Sequence, residues 1–188
     1  MTVVASGYER QVNDLYETPE WVTQALIRAI GFNPDRDVVW EPSAGNHKIA
    51  DVLKAAGMSV RTSDIATYSR EHDATFDFLG NESINFGARH LVTNPPYGKG
   101  NRDAVKFAHR ALWRCNGIVA LLLTAKFDFG KTRADLFRDN PRFLAKIALL
   151  DRIQWFEGEH GSTEDHAWFV WGAADRRHEP RLLWEARK

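Results

Sequence analysis

Short apolar runs alternate with segments of helical periodicity through most of the chain, and few architectures accept that alternation. "ETPEWVTQALIRAIG" reads as a helix, with Thr18 as cap, Pro19 in the first turn and Gly31 past the end. "DVVWEPSAG" is a short strand entering a small-residue turn. "HKIADVLKAAG" returns to helical spacing, with Ile49, Val52, Leu53 and Ala56 on one face and Gly57 as terminator. "MSVRTSD" is a second strand, "TFDFL" a brief strand-like segment and "HLVTNPPY" holds another strand. "RDAVKFAHRALWR" predicts a helix, "GIVALLLTA" a strand buried on both faces and "TRADLFRDN" a further helix. "FLAKIALLDRIQWF" and "HAWFVWGA" read as two strands joined by the polar "EGEHGSTED".

Strands separated by helices must lie parallel, and a parallel sheet needs cover on both faces. The expected fold class is therefore α/β: a Rossmann-like, doubly wound, mostly parallel sheet with an antiparallel C-terminal hairpin at one edge. A length of 188 residues suits one domain, expected over 14–188 after a loose N-terminus at 1–13.

The longest apolar run, residues 117–125, is too short to cross a bilayer, and the N-terminus has no leader pattern. The single cysteine, Cys115, excludes an internal disulfide and a cysteine-rich zinc site, and suits a reducing, cytoplasmic setting. His160 and His166 do not form a metal pair, so no metal is expected. No Ser-His-Asp or Cys-His arrangement is apparent. Twenty-five basic residues balance 25 acidic ones, so any nucleic-acid contact must come from local clustering.

In open parallel sheets, ligands sit beyond the carboxyl ends of the strands, where both "EPSAG" and "TNPPY" fall. Ser43, Ala44 and Gly45 let a ligand approach the backbone at a helix N-terminus. Asp64, nineteen residues beyond Gly45, ends the next strand and can accept hydrogen bonds from ribose hydroxyls. The alternative is a tight turn with a helix-capping acid.

In this order, "YETPEWV", "EPSAG", "SDI", "DFL" and "TNPPYG" resemble class I S-adenosylmethionine-dependent amino-methyltransferases. The resemblance is greatest to the DNA adenine-N6 type whose cofactor motif precedes its catalytic one. It covers residues 16–98. It implies S-adenosyl-L-methionine as cofactor, with Thr18 and Pro19 against its methionine end and Glu41, Ser43 and Gly45 shaping the amino-acid pocket. It further implies Asp64 on the ribose, Ile65 against the adenine ring, and Asp77 and Phe78 at the adenine edge and face. The family usually carries a second glycine where this chain has His47, whose side chain would crowd the cofactor unless it stands outside the turn as a helix-start residue.

An exocyclic amine is a poor nucleophile because its lone pair is delocalised. Two acceptors facing its hydrogens draw the nitrogen toward tetrahedral geometry; Asn94 supplies one through its side-chain oxygen, and the Pro95 carbonyl supplies the other. Pro95 and Pro96 stiffen the pair, and Tyr97 offers a ring for an extruded base. No general base, nucleophile or metal is required.

Lys99, Arg102 and Lys126 are expected near the substrate. Arg102, Lys106, Arg110 and Arg114 fall on one helix face that could follow a phosphate backbone, or simply be a solvated face. Lys131 and Arg133 add to this basic set. The segment 157–165, with Trp155, Phe156, Trp168 and Trp171, could wall the pocket, although core packing accounts for most of these aromatics. DNA methyltransferases that read a site generally add a recognition domain, for which this length leaves no room. The expectation is thus nucleic acid as substrate, DNA foremost, with a possible separate recognition subunit. RNA (adenine N6 or guanine N2), protein glutamine, and a catalytically weakened binding module acting through a partner remain alternatives.

Overall fold

The computed structural model describes residues 15–33, 36–156, 164–175 and 177–188. The expected loose N-terminus and most of the polar segment at 157–165, including His160, lie outside them.

Three helices form where the apolar spacing is helical: α1 (Glu20–Ile30), α2 (Lys48–Ala55) and α3 (Arg102–Arg114). Helix α1 buries Trp21, Val22, Ala25 and Leu26, and Gly31 ends it in the left-handed conformation at φ 58°. Its N-cap is Pro19 and makes no side-chain hydrogen bond. Thr18 is not a cap; it is buried and turned toward the end of a strand. In α2, Ile49, Val52 and Leu53 are buried as expected, but Ala56 lies past the last turn and is exposed.

The strands are β1 (Val38–Glu41), β2 (Ser59–Asp64), β3 (Ala74–Thr75), β4 (His90–Thr93), β5 (Val119–Thr124), β6 (Phe143–Leu149), β7 (His166–Trp171) and β8 (Arg181–Glu185). They form one eight-stranded sheet in the order β3-β2-β1-β4-β5-β7-β6-β8. The reversal of order between β1 and β4 opens the crevice in which such sheets bind ligands. Only β7 runs against its neighbours, pairing with β5 and β6. The expected hairpin therefore exists, but β7 lies inside the sheet and the edge is β8, parallel to β6. The sequence marks no element over residues 174–188.

Helices α1 and α2 cover one face over Val39, Val92, Leu122, Ile147, Trp168 and Val170. Helix α3 covers the other over Trp40, Leu91, Leu121, Leu123, Phe169 and Trp171. The indoles of Trp40, Trp168 and Trp171 are fully buried, and each N–H finds an acceptor: Ser63 Oγ, the Val22 carbonyl and the Leu136 carbonyl. Among the described residues no helix is long and apolar enough to cross a membrane.

Two expected elements are reduced. "TFDFL" contributes only Thr75 to β3, because the Asp77 carboxylate accepts the Leu79 N–H at 2.8 Å and turns the chain. "TRADLFRDN" is a single 3-10 turn at Lys131–Arg133 followed by irregular turns. Adjacent Leu136 and Phe137 both enter the core, the Trp171 indole takes the Leu136 carbonyl, and Pro141 disfavours helix at Asn140.

Candidate functional site

A cleft of about 730 Å³, counting its open mouth, lies beyond the carboxyl ends of β1, β2 and β4. Of the expected residues, Thr18, Glu41, Ser43, Gly45, Asp64, Ile65, Asp77, Phe78, Asn94 and Pro96 all line it. Segments more than seventy residues apart in sequence thus meet around one space.

The turn from β1 into α2 forms the floor. Gly45 has φ 49° and donates its N–H to Asp64 Oδ2 at 2.9 Å, while Asp64 Oδ1 accepts the Ile65 N–H at 2.7 Å. Burial pushes the Asp64 carboxyl above the ordinary aspartate value, opposed by the N–H groups of Gly45, Ile65 and Ala66. With three N–H groups on it, the carboxylate keeps acceptor capacity for one further donor such as a ribose hydroxyl. Ile65 beside it is 55% exposed, an apolar surface open to a flat ring. Glu41 is buried, and its Oε2 accepts the Ala50 N–H at 2.9 Å, so it caps α2 from the strand below. Burial raises its pKa well above the ordinary glutamate value. A buried carboxylate in a ligand cleft gains a natural counter-ion if the ligand is cationic. Small turn residues, one apolar wall and two buried acids fit a nucleoside bearing an ammonium and a sulfonium. Asp77 is exposed at the rim, whereas Phe78 is a core residue, stacked on Phe107 at 4.3 Å with its edge toward Trp40.

His47 does not obstruct this floor. Its backbone takes φ 66°, ψ 24°, the conformation a glycine would adopt, and its ring turns under the 66–73 loop. His47 Nε2 lies 2.8 Å from His72 Nδ1, and His72 Nε2 lies 3.1 Å from the Ala66 carbonyl. That chain has one consistent tautomer set: His72 donates to Ala66 and His47 donates to His72. His47 Nδ1 is then a buried acceptor with no partner among the described residues. Burial, reinforced by Arg70, lowers the His47 pKa to about 4.

Asn94 follows β4 at the cleft wall. Its side-chain amide donates to the Tyr16 carbonyl and to Thr18 Oγ1, both at 3.3 Å. With both N–H groups committed there, the amide oxygen is the group left for the cleft. Pro95 is buried behind Asn94 and Pro96 borders the cleft. Tyr97 stands outside the lining residues. Its hydroxyl donates to the Leu122 carbonyl at 3.2 Å, and its ring runs nearly parallel to His166 at 6.3 Å. Trp155 meets His166 edge-on at 5.2 Å and Tyr16 at 5.6 Å, and Phe156 meets Tyr16 at 6.1 Å. An aromatic arc therefore flanks Asn94. Trp168 and Trp171 belong to the core.

Pro19, Lys99, Arg102 and Lys126 do not line the cleft. Lys99 and Arg102 are exposed around the start of α3, and Lys126 lies 3.9 Å from Glu164. The basic stripe is largely spent inside the protein. Lys106 pairs with Asp103, Arg110 donates to the Gly80 carbonyl, and Arg114 donates to the carbonyls of Glu82 and Ile84. Arg133 donates to the Phe127 carbonyl and covers its ring. Those guanidiniums secure loops.

Sequence reading missed Tyr16, Asn46, Lys48 and Tyr68, all of which line the cleft. Asn46 donates to Glu17 Oε1 at 2.6 Å and accepts from the Ser69 N–H at 3.1 Å, binding the segment before α1 to the 66–73 loop. Tyr16 stands two positions before Thr18 in "YETPEWV" and could have been read there; Tyr68 sits in an irregular stretch without signal.

The sequence matches no family model and no curated protein. Its fold does match solved structures. A candidate class I S-adenosylmethionine-dependent methyltransferase from Listeria monocytogenes superposes with a TM-score of 0.68 at 14% identity, over 95% of this chain and 68% of that one. A candidate RNA methyltransferase from Pyrococcus horikoshii gives 0.66 at 13%, over 91% and 93%. The M protein of the type I restriction enzyme EcoKI gives 0.63 at 13%, over 96% of this chain and 49% of that one. The chain thus spans about half the length of that M protein. At these identities the likeness is one of fold: the mixed sheet with its antiparallel pair is the class I methyltransferase fold.

Proposed function

We propose that the cleft binds S-adenosyl-L-methionine and that residues 14–188 act as one catalytic unit methylating an exocyclic amine, adenine N6 in DNA. The observation that carries this reading is the convergence of Asn94 with Gly45 and Asp64 on one cleft, the Asn94 N–H groups already engaged.

When bound, the cofactor would supply a methyl group on a cationic sulfur for transfer to the amine nitrogen, with the C–S electron pair kept by sulfur and the surplus proton released to water. The chain's part is to position and to polarise. Asp64 accepts the ribose hydroxyls, Ile65 covers the adenine ring and Asp77 meets its edge. Glu41 balances the ammonium, Ser43 and Gly45 keep the floor shallow, and Thr18, on its Pro19 hinge, closes the methionine end. Asn94 Oδ1 and the Pro95 carbonyl accept the two amine hydrogens, which turns the nitrogen lone pair toward the methyl group. Pro96 keeps the acceptors stiff, and Tyr97, with Trp155 and His166, borders the extruded base. Lys99, Arg102 and Lys126 are exposed cations for the flanking phosphates. Since Arg110 and Arg114 are engaged by loop carbonyls, a separate subunit supplies most sequence recognition.

A second reading, methylation of RNA, draws on the Pyrococcus protein, whose length the chain matches almost fully. Buried, free Cys115 suits a reducing compartment under either reading. Methyl-labelled cofactor incubated with duplex DNA, single-stranded DNA, structured RNA and protein, followed by nucleoside analysis, distinguishes them. N6-methyladenine in DNA supports the first reading; label confined to RNA selects the second; label on protein alone overturns both.

A further inference from the structure

The outer edge of the sheet is the strand β8, with the sequence Arg181-Leu182-Leu183-Trp184-Glu185. On its inner side it pairs in parallel with β6, and the Leu150 N–H donates to the Glu185 carbonyl. In a parallel ladder alternate residues direct both backbone groups to the same neighbour. Arg181, Leu183 and Glu185 therefore bond β6, and Leu182 and Trp184 aim their N–H and carbonyl groups outward. The side chains of those same two residues are exposed, Leu182 by 51% and Trp184 by 61%. An open edge carrying two large apolar side chains is a template for strand addition, which proteins normally blunt with charge or proline.

The geometry points to a second copy of this chain as the occupant, through antiparallel β8–β8 pairing about a two-fold axis at Leu183. In that register Leu182 faces Trp184 of the other copy twice over. Both are residues with free outward backbone groups, so four inter-chain hydrogen bonds form without disturbing β6. Leu183 faces its own counterpart as a non-hydrogen-bonded pair. Arg181 faces Glu185 of the other copy at each end, so the only charges on the strand meet with opposite sign. Glu185 Oε2 is held by Arg28 within its own chain at 2.8 Å, which leaves Oε1 for the incoming guanidinium. A shift by two positions in the pair sum breaks this match: one direction sets Trp184 against Pro180, which has no N–H, and the other sets Arg181 against Arg187. An isologous interface requires such self-complementarity, and five consecutive residues supply it. Since β8 runs parallel to β5, the two clefts open at opposite ends of the joined sheet. Dimerisation therefore leaves each cleft untouched.

Sedimentation velocity together with directed cross-linking tests this. Wild-type protein is expected to sediment as a dimer at about 100 μM. Leu182→Pro removes an outward N–H that bonds nothing among the described residues, so it gives a monomer with an unchanged circular dichroism spectrum. Leu183→Cys places two thiols on the axis with Cα atoms about 4.5 Å apart, within disulfide range, so mild oxidation yields a covalent dimer. Arg181→Cys, whose copies are about 13 Å apart, does not. Cys115 does not compete, since it is buried with its thiol pushed up to about 12. A monomeric wild type, a dimer that survives Leu182→Pro, or equal cross-linking of the two cysteine variants overturns the assignment.

Discussion

The side-chain amide of Asn94, at the end of β4, donates to Thr18 Oγ1 at 3.3 Å, across 76 residues of sequence. The contact, with that to the Tyr16 carbonyl, fixes which end of the amide faces the cleft. Thr18→Val keeps the shape and removes the acceptor. One net hydrogen bond is about 1 kcal/mol, so methyl transfer is expected to slow by about fivefold. In an Asn94→Ala background the same change should cost almost nothing more, since the two residues act as a unit. Single-turnover rates for the four proteins check this.

Gly45 occupies φ 49° and donates to Asp64, and a Cβ there would stand 2.8 Å from Leu15 Cδ1. Leu15 can swing aside, so backbone strain dominates, at about 1–2 kcal/mol for a residue forced into the left-handed region. Gly45→Ala should lower the melting temperature by roughly 2–8 °C and weaken cofactor binding by more than this loss of stability explains. Calorimetric titration with S-adenosylhomocysteine, beside thermal denaturation, separates the two effects.

His47 and His166 are both buried, and burial lowers each pKa to about 4. A depressed folded-state value means that the neutral ring favours the native state. The contribution is complete above the unfolded value near 6.5 and is lost as pH falls from there toward 4. Each ring adds a slope of at most about 1.4 kcal/mol per pH unit in that window. Urea denaturation at stepped pH should show the decline, and His47→Gly should reduce its slope to the share that His166 contributes. Because the His47 ring turns toward His72, that variant should keep cofactor affinity within about threefold, under 1 kcal/mol.

Glu41 has the opposite sign. Burial raises its folded-state pKa, so the protonated form favours folding and stability declines as pH rises from the ordinary glutamate value through the raised one. Glu41→Gln still offers an oxygen to the Ala50 N–H. It should therefore melt higher than wild type at neutral pH, with no advantage below about pH 4. If Glu41 balances the cofactor ammonium, the same variant binds S-adenosylmethionine about tenfold more weakly, or 1.4 kcal/mol. Melting curves and titrations at pH 4 and pH 8 measure both halves.

The parallel core was legible because "VVW", "HLV" and "VALLL" are apolar on both faces and separated by helical periods. The cleft was legible through the small residues after β1 and the polar residues ending β2 and β4. Strand β8 was not, since "RLLWE" is five residues of an exposed edge with no alternation to mark it. Phe78 lines the cleft where the motif order put it, while its stack on Phe107 shows only in tertiary packing. Arg110 and Arg114 could be read as a phosphate stripe or a solvated face, and only the path of residues 79–86 shows the carbonyls that occupy them. At His47, side-chain identity left obstruction and a helix-start position both open; His47 is the N-cap of α2 and its ring is directed to His72 in the loop above. Local spacing revealed which backbone groups stood near one another; it did not reveal which partners were already taken.

Asn94→Ala, assayed in parallel for cofactor binding and for methyl transfer, addresses the acceptor role directly. The expected result is a fall in transfer of about 10²–10³-fold, the usual loss when one preorganised polar group is removed, with the dissociation constant for S-adenosylmethionine changed by less than about threefold. Equal loss of binding and transfer, or transfer that persists at the wild-type rate, would contradict it.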